Sequence, residues 1–170
     1  MGERSRSPSL QRLTFVKRSV FCYHNMNTIS LDKKFFLGGN ATFTVDNGKG
    51  THYTFKIRQP KKDNPRFTGP APHFASLLTG PDNENSYSYL GIVDNNMTVR
   101  LTAKSKMNND STPVKVLRWI LNLVATNGSM PDGYKVHHEG KCGCCGRTLT
   151  VPESIERGIG PECWSRICGA

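Results

Sequence analysis

From Ala41 onward, apolar and polar side chains change places at every step. Phe43 and Val45 alternate with Thr42 and Thr44, and beyond Asp46-Asn-Gly-Lys-Gly50 the run Tyr53, Phe55, Ile57 alternates with His52, Thr54, Lys56 and Arg58. Period two sends successive side chains to opposite faces of a strand, and the Asn-Gly step between the runs is turn chemistry, so the segment predicts a β-hairpin. One face carries Phe43, Tyr53 and Phe55, which read as ordinary core rather than a base-stacking platform. The other presents His52, Lys56 and Arg58. Residues 59–72 hold Pro60, Pro65, Pro70 and Pro72 and cannot sustain a helix or inner strand, because proline has no amide hydrogen to donate. Further strands are predicted at 74–78, 87–93 and 98–103, with turns at Gly80-Pro-Asp-Asn-Glu-Asn85 and Asp94-Asn-Asn96. The total is about five strands.

The period then changes to that of a helix. Ser111-Thr112-Pro113 offers a polar cap and a proline tolerated in the first turn. Val114, Leu117, Leu121 and Val124 fall on one stripe, which Trp119 and Ile120 broaden, until Asn127-Gly128 ends it. Lys115, Arg118 and Asn122 lie off the stripe and are expected to meet solvent. The pattern predicts an α+β fold: a small antiparallel sheet covered by one amphipathic helix, followed by a C-terminal metal module beyond Gly128-Ser-Met-Pro-Asp-Gly133. In that module a strand begins near Tyr134. Thr150-Val-Pro152-Glu153 has capping-box spacing for a short helix that stops at Gly158, and Gly160-Pro161 opens another. The expected division is a basic leader at 1–25, an α+β domain at 26–128 and a metal-binding module at 129–170.

Composition narrows the partners. Of 170 residues, 36% are apolar, enough for one modest core with a small satellite. Lys and Arg number 23 against 13 Asp and Glu, and the sequence pI is about 9.5, which favours anionic partners. Residues 1–25 carry Arg4, Arg6, Arg12, Lys17 and Arg18 against Glu3 alone. Such a leader reads first as solvated chain, ahead of a transit peptide or nucleic-acid-binding arm, and Met26 raises the alternative of an upstream extension of the reading frame. The proline-rich loop adds Lys61, Lys62 and Arg66, suited equally to tracking phosphates or to a solubilising connector. No segment approaches the roughly 20 apolar residues that cross a bilayer, so a soluble intracellular protein without a membrane partner is expected.

The chemistry concentrates in the tail. Five of the six cysteines fall in the last 29 residues. Cys142 and Cys145 form a C-x2-C pair followed by Gly146, the knuckle that points two thiolates at one metal, and Cys163 follows as a third in the first turn of the last predicted helix. Cys168, five positions later, lies roughly 140° round that helix at about 100° per residue, and so points away. Cys144 sits strained inside the knuckle, and Cys22 is isolated. Among His138, His137, Cys144 and Cys168, the expected fourth ligand is His138, with Gly140 turning the chain from strand to knuckle while His137 faces the opposite side. Three thiolates and one imidazole fill a tetrahedral shell, so a single structural Zn2+ with no activated water is expected. Lys141 and Arg147 flank the knuckle, able to offset its negative charge and reach a phosphate.

The string HEGKCGCCGRTLTVPESIERGIGPEC, residues 138–163, resembles an uncharacterised zinc-knuckle family of tailed bacteriophages and some bacteria with the pattern H-E-G-x-C-x-x-C-G-R-x-L-T-x-P-x-S-I-x-x-G-I-G-P-x-C. That resemblance implies zinc on His138, Cys142, Cys145 and Cys163, unconstrained positions at Cys144 and Cys168, and a phage-encoded protein in the host cytoplasm. GGNATFTVDN, TGPDNENSYSYLG and the SKMNNDS stretch look more loosely like the body accompanying such tails.

Two roles follow as expectations. The first is a nucleic-acid-binding accessory protein of low specificity for DNA or RNA, in which Lys56, Arg58, Lys61, Lys62, Arg66, Lys141 and Arg147 meet phosphates. The second is a module that binds or inhibits a host or phage replication, transcription or defence protein. An enzyme is not expected, since the histidines stand in no H-x-E or H-E-x-x-H setting, and there is no P-loop and no recognisable hydrolase carboxylate pair.

Overall fold

In the structure, a computed structural model, the described residues are 32–60, Arg66, Gly69 and 71–169. The leader at 1–25, Cys22, Lys61 and Lys62 lie outside them. Six strands form one antiparallel sheet in the order β5-β4-β3-β2-β1-β6. In chain order they are β1 (Asn40–Asp46), β2 (His52–Arg58), β3 (His73–Leu78), β4 (Tyr87–Val93), β5 (Val99–Arg100) and β6 (Lys135–His138). Among the described residues four helices join them: α1 (Lys33–Phe36), α2 (Thr112–Ala125), α3 (Pro152–Arg157) and α4 (Pro161–Cys168). None of these is long and apolar enough to cross a membrane.

The expected hairpin forms in the register that alternation requires, Phe43 opposite Phe55 and Thr42 opposite Lys56. Inward, Ala41, Phe43, Val45, Phe55, Ile57, Ala75 and Leu77 join Val114, Leu117, Ile120, Leu121 and Val124 of α2 in one buried cluster. Each large apolar side chain buried there contributes about 1.5–3 kcal/mol. Outward, pairing lines up Asn40, Arg58, Phe74, Ile92 and Arg100 across successive strands, with Thr42, Lys56, Ser76 and Tyr89 in the next row. The molecule therefore has one covered face and one polar, cationic face.

Several local expectations need correction. The sixth strand, β6, lies in the segment assigned to the tail, yet it pairs with β1 so that Phe43 faces His138. Beyond it, Cys142, Leu149, Ile159 and Cys163 belong to the same core as the sheet. The strand expected at 98–103 is only two residues long. The Thr102 amide donates to Ser105 Oγ at 2.8 Å, and this turns the chain out of the ladder. Neither predicted side-chain cap forms. Ser111 bonds Asn108 Oδ1 at 2.8 Å, and α3 starts behind Val151 with Pro152 in its first turn. Arg118 is half-buried rather than solvated, donating to Asn109 Oδ1 at 2.7 Å and Val99 O at 3.4 Å.

Helix α1 was not foreseen, and it couples the two parts. Asp32 caps it by accepting from the Lys34 amide at 2.7 Å, which stabilises a turn too short to hold by itself. Its Phe35 and Phe36 are buried. Gly143 and Gly158 of the tail lie so close to the Phe35 ring that a Cβ on either would come within 2.6 Å of its Cδ2. Lys34 lies over the Trp164 ring at 4.5 Å.

Candidate metal centre and cationic cleft

The knuckle is built by backbone. Gly146 adopts φ +76°, and its amide donates to Cys142 O at 2.8 Å, while the Cys142 amide donates to Arg147 O at 2.8 Å. This turn brings Cys142 and Cys145 together. Gly158 closes α3 at φ +68°, and the Gly143 amide donates to its carbonyl at 2.9 Å, so α4 returns with Cys163 in its first turn beside them. The three Sγ atoms lie within 4.8 Å of one another. A zinc ion with Zn–S bonds of about 2.3 Å holds its sulfurs about 3.8 Å apart, so only a small side-chain adjustment separates this trio from a metal-bound one.

Electrostatics fits a cation. Burial pushes the Cys142 thiol up, but the backbone N–H groups of Gly160, Cys145 and Cys144 outweigh it and hold the thiol below its ordinary value. Cys163 is pushed up to about 12, first by burial, then by the Cys145 side chain and the negative charge of Cys142 and Cys144. Three thiols this close cannot all ionise without a positive partner, and a divalent ion supplies one. Among the donors facing the sulfurs, the Gly160 amide lies 3.3 Å from Cys142 Sγ and Arg166 lies 3.1 Å from Cys163 Sγ. Sequence reasoning passed over Arg166, although it stands three positions after Cys163 on a helix, where side chains meet.

His138 stands apart from the trio with which it was expected to share the metal. It is buried on the inner face of β6, its Nε2 donates to Ile155 O at 2.7 Å, and its Nδ1 accepts from the Gly140 amide at 2.9 Å. Both nitrogens are committed to backbone, and the metal-competent group among the described residues is the cysteine trio without it. The remaining candidates also stand outside the trio. His137 shares the outer face with Thr44, the Cys144 carbonyl accepts from Asn40 Nδ2 at 2.7 Å, and Cys168 accepts from the Lys34 ammonium at 2.9 Å.

A second feature lies where the sheet's polar face meets the tail. A cleft of about 340 Å³ is lined by Lys56 and Arg58 from β2, Lys141 and Glu139 from the tail, and Asn83, Glu84 and Asn85 from the turn before β4. Lys56 is only 8% exposed, its ammonium 3.8 Å from the centre of the Tyr87 ring and 3.4 Å from Glu84 O. Burial first, then the positive charge of Arg58 and Lys141, lowers its pKa. Lys141 pairs with Glu139 at 3.3 Å. On the same face the Phe74 and Tyr89 rings lie 6.2 Å apart.

Of the cations singled out from sequence, Lys56, Arg58 and Lys141 thus converge. Arg147 does not. It pairs with Glu162 at 3.4 Å and lines a separate hollow over the thiol trio. Arg66 is exposed in the loop. Asn40, Thr42, Glu84, Glu139 and Tyr87 were not foreseen; the parity of β1 and β2 places Thr42 beside Lys56, but nothing local to the sequence brings the tail to them.

Residues 136–167 match the profile of DUF6011, a family of unknown function. No curated protein and no solved structure matches the chain.

Proposed function

We propose that the chain is a zinc-stapled nucleic-acid-binding accessory protein, in the phage-encoded setting that the tail's resemblance implies. The observation that carries this reading is the cleft in which Lys56 and Arg58 of the sheet meet Lys141 of the tail. Cations drawn from distant parts of a chain into one polar hollow crowd their own charge, and a phosphate relieves it. The neighbouring Phe74 and Tyr89 rings favour an unpaired strand, whose bases stack on aromatic faces.

Zinc on Cys142, Cys145 and Cys163 is structural in this reading. It holds the knuckle against α4 and so keeps Lys141 on the rim of the cleft. Among the described residues the group placed to hold the ion is this trio. The role is binding rather than catalysis. Replacement of Cys145 by Ser is expected to abolish stoichiometric zinc, measured by metal analysis, and to lower the thermal midpoint of the whole fold.

A gel-shift series with single- and double-stranded DNA and RNA tests the main claim. Three cations set against the phosphate charge of a single strand give a log–log salt slope near −2, about a 20-fold loss for a fourfold rise in salt. Failure of micromolar protein to shift any of these at low salt would sink the proposal.

A second reading, a protein-docking module, draws on the hollow beside the trio, where Leu149, Val151 and Pro161 are gathered and Val151 is 47% exposed. A partner held there by apolar contact stays bound as salt rises, while random nucleic acid binds weakly.

A further inference from the structure

We infer that the cleft between β2 and the tail takes the terminal phosphomonoester of a single strand rather than an internal stretch of its backbone. This rests on the nucleic-acid reading above and narrows it to a strand end. Three features of the cleft argue for it together. The first is its cation count: Lys56, Arg58 and Lys141 line one hollow. An internal phosphodiester carries one negative charge, whereas a terminal phosphate carries about −1.5 to −2 at neutral pH and has three acceptor oxygens. Arg58 offers a planar fork of donors and the two lysines offer point charges, the mixture that suits a dianion approached from several sides.

The second feature is the acid at the rim. Glu84 and Glu139 line the same hollow, and Glu139 is already paired with Lys141. A strand running through the cleft brings flanking phosphates past these carboxylates and is repelled. A strand that ends there places a single phosphate among the cations and leads the rest of its backbone away.

The third is size and placement. A cleft of about 340 Å³ holds on the order of one nucleotide, and it is walled on one side by the Asn83 to Asn85 turn and on the other by the knuckle at Gly146. Lys56 is fixed in depth, since its stem is buried and its ammonium is held between the Tyr87 ring and Glu84 O. Arg58 is exposed and next to Phe74 in the adjacent strand, so the base following a bound terminal phosphate reaches the Phe74 and Tyr89 pair. Asn83 and Asn85 also line the hollow, the Asn85 side-chain amide being held by Asp82 Oδ2 at 2.9 Å.

The experiment uses the full-length zinc-loaded chain and one fluorescent single strand prepared in four forms: 5′-phosphorylated, 3′-phosphorylated, with hydroxyls at both ends, and circular. Anisotropy titrations at low salt give the four affinities. At least one phosphorylated form is expected to bind about tenfold more tightly than the hydroxyl and circular forms, the increment of one charge-assisted contact set. Arg58→Ala and Lys141→Ala should each erase that increment, so that the phosphorylated and hydroxyl forms bind alike, and each also weakens the circular strand by the loss of one cation. Both variants are first checked for wild-type zinc content and thermal midpoint, since both side chains are exposed and neither carries core. Equal affinity for all four forms overturns the strand-end assignment and leaves nucleic-acid binding intact. An increment that survives both substitutions also overturns it, because the end is then held elsewhere. No binding of any form overturns this inference and the reading it rests on.

Discussion

An imidazole with both nitrogens bonded to backbone is a joint in the chain, and His138 is such a joint between Gly140 and Ile155. Replacing it with Ala leaves a carbonyl and an amide without their partner in a buried place, a loss of about 2–4 kcal/mol. We expect His138→Ala to unfold at lower urea concentration yet still bind one zinc per chain in metal analysis. Loss of the metal with unchanged apo stability would identify His138 as a ligand. Strand parity in the sequence does turn His138 inward, but the carbonyl it finds lies on α3, beyond the reach of any local pattern. His73 gives a pH test. Burial lowers its pKa, against a smaller opposing effect of its bond to Leu37 O. The unfolded chain takes up this proton near pH 6.5 while the folded imidazole resists it, so its contribution is complete above that pH and drains away as pH falls towards the folded value. The stability gap between wild type and His73→Gln, measured in urea, is expected to narrow from pH 7 to pH 5. Taking the difference cancels the acid sensitivity of the thiols.

Among the elements, those that repeat a period were legible and those that depend on one contact were not. The β1–β2 hairpin and α2 announce themselves through alternation and a broad apolar stripe. By contrast, α1 is a single turn held by Asp32, and β5 stops after two residues because Met97 takes φ +64° before it and Ser105 captures the Thr102 amide after it. The end of α3 is the sharpest case. Gly158 was legible as a stop, but its second duty, making room for Phe35, depends on an unforeseen helix. Gly158→Ala forces a left-handed backbone onto a side chain and drives its Cβ to 2.6 Å from Phe35 Cδ2. Strain and crowding together amount to about 2–4 kcal/mol. A calorimetric midpoint lowered by about 5–15 °C is expected for a chain of this size.

At the scale of the whole molecule, the tail and the sheet share one core instead of meeting across a linker. Cys142, Leu149, Ile159 and Cys163 are in the cluster that holds Phe43 and Leu117. Chelation is therefore expected to lower a single cooperative transition, seen together in far-ultraviolet dichroism and in Trp119 and Trp164 fluorescence. An ion at 100 times its dissociation constant stabilises the folded state by about 2.7 kcal/mol, and removing it forfeits that amount. A tail that melts on its own, well below the sheet, would contradict the shared core. Net charge pointed to an anionic partner, yet the cleft was invisible in the sequence because Lys56 and Lys141 meet only after β6 has docked.

The position of β6 also sets a timetable. A ribosome delivers the N-terminal part first, so β1 through α2 emerge while the outer edge of β1, with its row of free amides and carbonyls, still awaits Lys135–His138. Such an edge is a template for any other nascent chain that offers a strand. The four residues of β6 thus act as the closing clasp of synthesis, and the interval before they leave the exit tunnel is the period in which the protein is most exposed to misassembly.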